Sequence, residues 1–289
     1  MSPSPAPFGL KKKHSLAFAL PLLVRVLLRQ ADRQRHAILT GDDPEALHQY
    51  RVALRKARSL LRLFRRQLGP VAALLARQLA QTAQMSNGLR EIDVLLHDWA
   101  GWSERLPAEL QPAAGGVRLN LQAQRDVALQ SFRRQLATLP APLELLADSL
   151  DPNERADRPL KKPLRRVFRQ QKRRLKRARR QLTAASPAAD FHRARIAGKR
   201  LRYLLELFAE VRLPRQNRRR IERLRQLQDL LGQLQDAESH GHHLAGLAAQ
   251  PVWTQRQQAV LTAVREQLLQ QACQLREGLL GHNDQGPAK

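Results

Sequence analysis

The sequence predicts an all-α protein, and three observations carry that prediction. Apolar residues make up 43% of the 289 positions and are mostly Leu and Ala. Aromatics reach only 4%, too few for a β-rich core. Long Leu/Ala/Arg/Gln segments recur between Pro and Gly, with apolar positions three and four apart. A chain of this length suits one large domain or two of ordinary size, with ample residues for a buried core.

The elements follow in order. A Ser/Pro-rich tail over 1–9 is expected to be disordered. Lys11, Lys12 and Lys13 before the apolar run 16–24 resemble a secretory leader, but Arg25 interrupts the run and no small-residue cleavage pattern follows. A helix over 10–40 is the simpler reading. Asp42-Asp43-Pro44-Glu45 then opens a helix over 44–68: a capping acid, Pro in the first turn, and negative charge where the macrodipole is positive. Further helices are expected at 71–100 and 116–139. Residues 140–159 hold four prolines and read as a hinge. Beyond it come helices at 160–185, 189–211, 215–240 and 252–280, with Ser186, Pro187 and Asp190 starting the second of these. No apolar stretch approaches a membrane span, so neither a membrane nor an export route is expected, and the chain reads as cytoplasmic.

Charge sets the functional class. There are 51 Lys and Arg against 25 Asp and Glu, a formal net charge of +26. Residues 1–150 carry +9 and residues 151–289 carry +17. Self-repulsion of that size destabilises a compact fold, so a bound polyanion should stabilise it. The partner should be an anion. Cys273 is the one cysteine, which excludes an internal disulfide framework and a cysteine-based zinc site.

The chain also reads as two copies of one unit. His48–Arg58 aligns with His192–Arg202 at an offset of 144, which also places Phe64 over Phe208. Upstream, the same offset puts Arg25, Arg29 and Arg33 over Arg169, Arg173 and Arg177. A matching upstream helix argues for duplication of a four-helix unit, with copies over 10–150 and 151–282 and a short tail over 283–289.

Each copy carries a basic stripe beside its apolar one. In the first, Leu47, Tyr50, Leu54, Ala57, Leu61, Phe64 and Leu68 form a core-facing face. His48, Arg51, Arg55, Arg58 and Arg62 run one residue later, about 100° round the helix, with Lys56 among them. In the second, Phe191, Ala194, Gly198, Leu201, Leu205 and Phe208 are flanked by His192, Arg195, Lys199 and Arg202, with Arg200 adjacent. Glu206 breaks the match, opposite Arg62. The helix at 160–185 extends the pattern: a seam of Leu160, Leu164, Phe168, Gln171, Leu175, Ala178 and Leu182, and beside it Lys162, Arg165, Arg169, Lys172, Lys176 and Arg179, with Arg173 and Arg177 close by. Like charges at i, i+4 destabilise a helix by a few tenths of a kcal/mol per pair, so a protein needing only solubility would interleave Glu. Guanidiniums in a row instead offer forked donors matched to phosphate oxygens at any cellular pH. Three such rows describe a dedicated polyanion surface.

The paired H-x-x-R-V/I-x-x-R/K-K/R-x-R helices resemble the CHAD family, the conserved-histidine α-helical domains. Asn87–Val94 and Leu231–Asp236 resemble that family's L-G-x-x-R/N-D turns, with Asn87, Glu91 and Gln235 as departures. The resemblance spans about 10–280. It implies two antiparallel four-helix bundles related by pseudo-twofold symmetry, and a basic surface binding inorganic polyphosphate, with association to polyphosphate granules. No E-x-E-x-K triphosphatase signature is present, so a stand-alone member is implied. The site is then His48, Arg51, Arg55, Lys56, Arg58 and Arg62; His192, Arg195, Lys199, Arg200 and Arg202; Arg25, Arg29 and Arg33; and Arg165, Arg169, Lys172, Arg173, Lys176 and Arg177. The two histidines either donate to phosphate when protonated or make a structural hydrogen bond near a helix start.

Two other classes remain as alternatives. A nucleic-acid binder would share the charge but should carry stacking platforms, and Tyr50 and Tyr203 sit at core positions, leaving only weak, non-specific binding. A polyphosphate-processing enzyme would need carboxylates holding metal. Glu91, Asp93 and Asp98, and Asp236 with Glu238, are better suited to orienting arginines or capping helices. His240, His242 and His243 are a metal-like cluster but are placed just past a helix end, where histidine complements the dipole. No catalytic residue, metal or cofactor is expected. Oligomeric state has no signature in the sequence.

Overall fold

The computed structural model describes residues 8–140, 142–212 and 215–284, with backbone alone for 212, 215–220 and 281–284. Most of the two expected tails, 1–9 and 283–289, lies outside the described residues. Among the described residues eleven α-helices follow one another: α1 Leu16–Thr40, α2 Pro44–Leu63, α3 Arg65–Leu68, α4 Val71–Gln84, α5 Asn87–Ser103, α6 Gln111–Ala137, α7 Lys161–Arg180, α8 Ala188–Leu207, α9 Ala209–Arg212, α10 Arg215–Ala248 and α11 Gln255–Asp284. Two short 3-10 turns, Leu143–Ser149 and Glu154–Ala156, lie between α6 and α7. The fold is all-α: among the described residues the only β-like pairing is an isolated bridge between Ser15 and Pro159. No helix among them is long and apolar enough to cross a membrane.

Helix starts follow the local chemistry. Asp43 accepts from the Glu45 amide at 2.8 Å with Pro44 in the first turn, and Ser15 accepts from the Phe18 amide at 3.2 Å. At the α3–α4 junction Gly69 has φ 69°, a backbone conformation that a side chain would strain.

Several boundaries depart from expectation. The helix read over 44–68 breaks at Phe64, and the one read over 71–100 breaks at Met85 and Ser86. Neither break carries Pro or Gly, so neither leaves a mark in the sequence. The family-like segment at 87–94 opens α5, and the one at 231–236 lies inside α10, so both are helical and not turns. The histidine cluster is also relocated. α10 runs on to Ala248, so His240, His242 and His243 sit within a helix instead of past its end. Gly241 costs only about 1 kcal/mol in a helix, and burying Leu244 and Leu247 outweighs it.

The chain forms two compact units, each discontinuous in sequence. The first takes residues 1–90, 130–173 and 199–224. Its core is Leu20, Leu23, Leu27 and Leu28 of α1, Tyr50, Leu54 and Leu60 of α2, then Phe64, Phe132 and Phe208, each no more than 2% exposed. α1 and α4 both pack on α2. The second takes 91–129, 174–198 and 225–289, around Trp99, Val117, Leu121, Phe191, Leu234, Leu244, Trp253, Val260 and Leu268. There Arg125 donates to Asp93 at 2.7 Å, a buried ion pair. Five helices (α5, α6, α7, α8 and α10) supply residues to both units. This division interleaves along the chain, whereas the 144-residue repeat divides it once near residue 150.

The described part of 140–159 is packed rather than hinge-like. Leu143, Ala147, Leu150 and Ala156 are buried, and Asp32 of α1 accepts from the Leu143 and Glu144 amides at 3.0 and 3.1 Å.

Candidate functional site

The first unit gathers most of the basic residues singled out in the sequence. α2 presents its row beside a buried apolar face, as the one-residue offset requires. Along that row the side chains meet different fates. Arg51 is engaged: it donates to the Ala83 carbonyl at 2.7 Å, Ser86 Oγ at 2.6 Å and Asn87 Oδ1 at 2.9 Å. It therefore ties α2 to the break between α4 and α5. Arg55 is half-buried and makes no hydrogen bond or ion pair with a described residue. Arg58 has its Nε buried with no acceptor. Burial, then the charges of Arg62 and Arg55, push its guanidinium below the ordinary arginine value. Arg62 is exposed.

The last half of α8 lies next to this row. Phe64 and Phe208 are in ring contact at 6.1 Å between centroids. Glu206, almost fully buried, sits 3.2 Å from Lys56 Nζ and 3.5 Å from Arg202 Nε. Both cations also lie against the Tyr203 ring, at 5.7 and 5.5 Å. The one acid interrupting the stripe is thus a counter-ion that brings two of the predicted cations together. Lys199 and Arg200 are half-buried on the same helix.

His48 is half-buried at the head of the α2 row, and burial, then Arg90, pushes its imidazole below the usual histidine value. Arg55 and Lys199 act in the same direction and Glu45 opposes them. Neither ring nitrogen bonds to a described residue. Its repeat counterpart differs. In the second unit His192 Nδ1 is 2.6 Å from Gln235 Oε1, and Arg195 is 3.8 Å from Asp236.

α7 carries twelve Lys and Arg in twenty residues and no acid. Its seam residues Leu164, Phe168, Gln171 and Leu175 are buried, while Arg165, Arg169, Lys172 and Arg173 in the first unit, and Lys176 and Arg177 in the second, are exposed. None of these six is ion-paired with a described residue. α1 is the opposite case: Arg25 pairs with Asp148 and Arg29 with Glu144, leaving Arg33 exposed. The structure therefore brings the α2 and α8 cations together and commits Arg25 and Arg29 to local acids.

Other acids named in the sequence also have basic neighbours: Glu238 pairs with Arg276, and Glu91 lies 3.7 Å from the His243 ring. Sequence reasoning missed Arg35, buried and donating to the carbonyls of Leu136, Leu139 and Pro140, where it closes the end of α6. It also missed a cleft of about 500 Å³ in the second unit, lined by Asp98, Trp102, Arg105, Asp236 and His240 among others. Neither leaves a periodic signal. Among the described residues no three His, Cys, Asp or Glu side chains are grouped to hold a metal ion.

Comparison with known proteins places this geometry in context. No curated protein matches the chain. Among solved structures, the CHAD domain from the plant Ricinus communis is 29% identical, with 93% of each chain covered and a TM-score of 0.71. PptA from Streptomyces chartreusis shares the fold at 15% identity and TM-score 0.71, covering 93% of this chain and 99% of its own. The family model of the CHAD domain matches residues 23–245. The chain belongs to the CHAD domain family.

Proposed function

We propose that this protein binds inorganic polyphosphate, as a binder and not an enzyme, through the basic rows of α2, α7 and the last half of α8. The observation that carries the reading is that Arg55 and Arg58 of α2 and the exposed Arg165, Arg169, Lys172, Arg173, Lys176 and Arg177 of α7 have no described ion pair, whereas Arg51, Lys56 and Arg202 are already engaged inside the protein. α7 has no acid, and Arg55 and Arg58 of α2 have no described acceptor, so each phosphate bonded there replaces water and not a protein carboxylate. Polyphosphate offers about one charge per unit, with neither base nor sugar, and asks only for repeated phosphate-matched donors. Counterion release then supplies much of the affinity, as it does on nucleic-acid backbones. Tyr50 and Tyr203 are buried, so the α2 and α8 rows present no stacking face of the kind single-stranded nucleic acid uses.

The reading extends to an internal duplication of a four-helix unit. Contact between Phe64 and Phe208, equivalent at the 144-residue offset, is what residues near a twofold axis do and supports it. A cytoplasmic place on polyphosphate granules follows from the same reading. The test is a competition titration of long-chain polyphosphate against single-stranded DNA and RNA of matched charge, at several salt concentrations. Polyphosphate should win at every salt concentration; equal or stronger binding of DNA would overturn the proposal.

A further inference from the structure

We infer that polyphosphate binding in the first unit is coupled to uptake of a proton by His48, so that this site holds its ligand more tightly as pH falls. The inference rests on the binding reading above and adds its regulation. Three features of the geometry carry it. His48 stands at the head of the α2 row, one helical turn from Arg51 and two from Arg55. It is half-buried, and neither ring nitrogen has a described partner, so the imidazole is bound by nothing that fixes its charge. The charged groups acting on it are Glu45 and Arg55 of α2, Arg90 of α5 and Lys199 of α8, three cations against one carboxylate.

That surrounding has opposite consequences with and without an anion. In the free protein, burial and the three cations disfavour a further positive charge, and the ring is neutral at neutral pH. A phosphate docked among Arg55, Lys199 and His48 reverses the sign of the local field and offers an acceptor. The ring then gains a proton from solvent and donates it to a phosphate oxygen. Between the free and bound titration points each binding event takes up a proton, and affinity falls as pH rises, by up to about tenfold per pH unit at full coupling. Above the bound point and below the free point His48 contributes no slope. His192 is a natural contrast: its Nδ1 is already held by Gln235, so it has a protein partner where His48 has none.

The experiment is calorimetric titration of the full chain with long-chain sodium polyphosphate at about pH 6.5, near the ordinary histidine value, in buffers of different ionisation enthalpy. The intact protein should take up more protons per bound chain than His48→Gln, by up to about one. His48→Lys, which fixes the charge, should bind without that extra uptake and keep its affinity as pH is raised. His36→Gln, an exposed histidine on α1, should behave like the intact protein. Far-ultraviolet circular dichroism confirms that each variant is folded. Equal uptake by the intact protein and His48→Gln overturns the inference while leaving polyphosphate binding in place. Absence of binding by the intact protein overturns both.

Discussion

The 144-residue offset sets the sequences of α1 and α7 in register, and both carry arginines at the same i, i+4 spacing. In α1 those arginines face acids: Arg25 meets Asp148 and Arg29 meets Glu144, both from the 3-10 turn packed on that helix. In α7 the equivalents Arg169, Arg173 and Arg177 are exposed, with no acid on their helix and no ion pair to a described residue. The periodicity is the same and the chemistry is not. A row of guanidiniums is most available to an outside anion where the fold supplies no inside one, since a carboxylate beside the cation already offsets its charge and occupies some of its donors.

The same rule separates residues within α2, and variants can press on it. The largest effect is expected from Arg55→Gln with Arg58→Gln, which removes two half-buried guanidiniums that have no described acceptor. Charge-assisted contacts are worth about 1.5–3 kcal/mol each before non-additivity, so polyphosphate affinity should fall at least tenfold while thermal stability holds or rises. An unchanged titration would show that the α2 row is not part of the site. Arg51→Ala should do the reverse. It strips three hydrogen bonds from the α4–α5 break and should cost about 1–3 kcal/mol of stability, read by denaturant unfolding. A melt indistinguishable from the unsubstituted protein would mean that those bonds are not structural.

The smallest effect concerns pH and the free protein. Burial first, and neighbouring cations second, hold the folded His48 below its unfolded value. The unfolded chain therefore binds more protons between the two values. His48's contribution to stability is present above the ordinary histidine value, near 6.5, and is lost as pH falls through the folded one. His240, lowered chiefly by burial in the second unit, adds in the same direction. Apo stability should decline on acidification below that value, and His48→Gln should flatten the decline. An identical pH profile for the variant would contradict this assignment.

What could be read from the sequence was whatever repeats along a helix. The apolar positions Leu47, Tyr50, Leu54, Ala57, Leu61, Phe64 and Leu68 are all buried, as are Leu160, Leu164, Phe168 and Gln171 of the α7 seam. The interruption at Glu206 was visible too, though not its purpose. What stayed hidden depends on contacts between residues distant in sequence. Asp148 lies 123 positions from Arg25, and Glu206 lies 150 from Lys56, so spacing could not reveal that either cation has an acid beside it. Arg51 looked like any member of its row, because its three acceptors are set by where α4 ends. Gly241 misled about α10 because local propensity is weaker than burial of Leu244 and Leu247.

The contrast between α1 and α7 also gives the most direct test of the account. Arg25→Gln with Arg29→Gln and Arg169→Gln with Arg173→Gln each remove two formal charges, and all four positions lie in the first unit. The long-range field therefore changes alike, and only the local donors differ. Calorimetric titration with long-chain polyphosphate at fixed salt should show at least a tenfold loss for the α7 pair and less than about threefold for the α1 pair. Equal losses in the two pairs would contradict the claim that unpaired cations, and not overall charge, make the site.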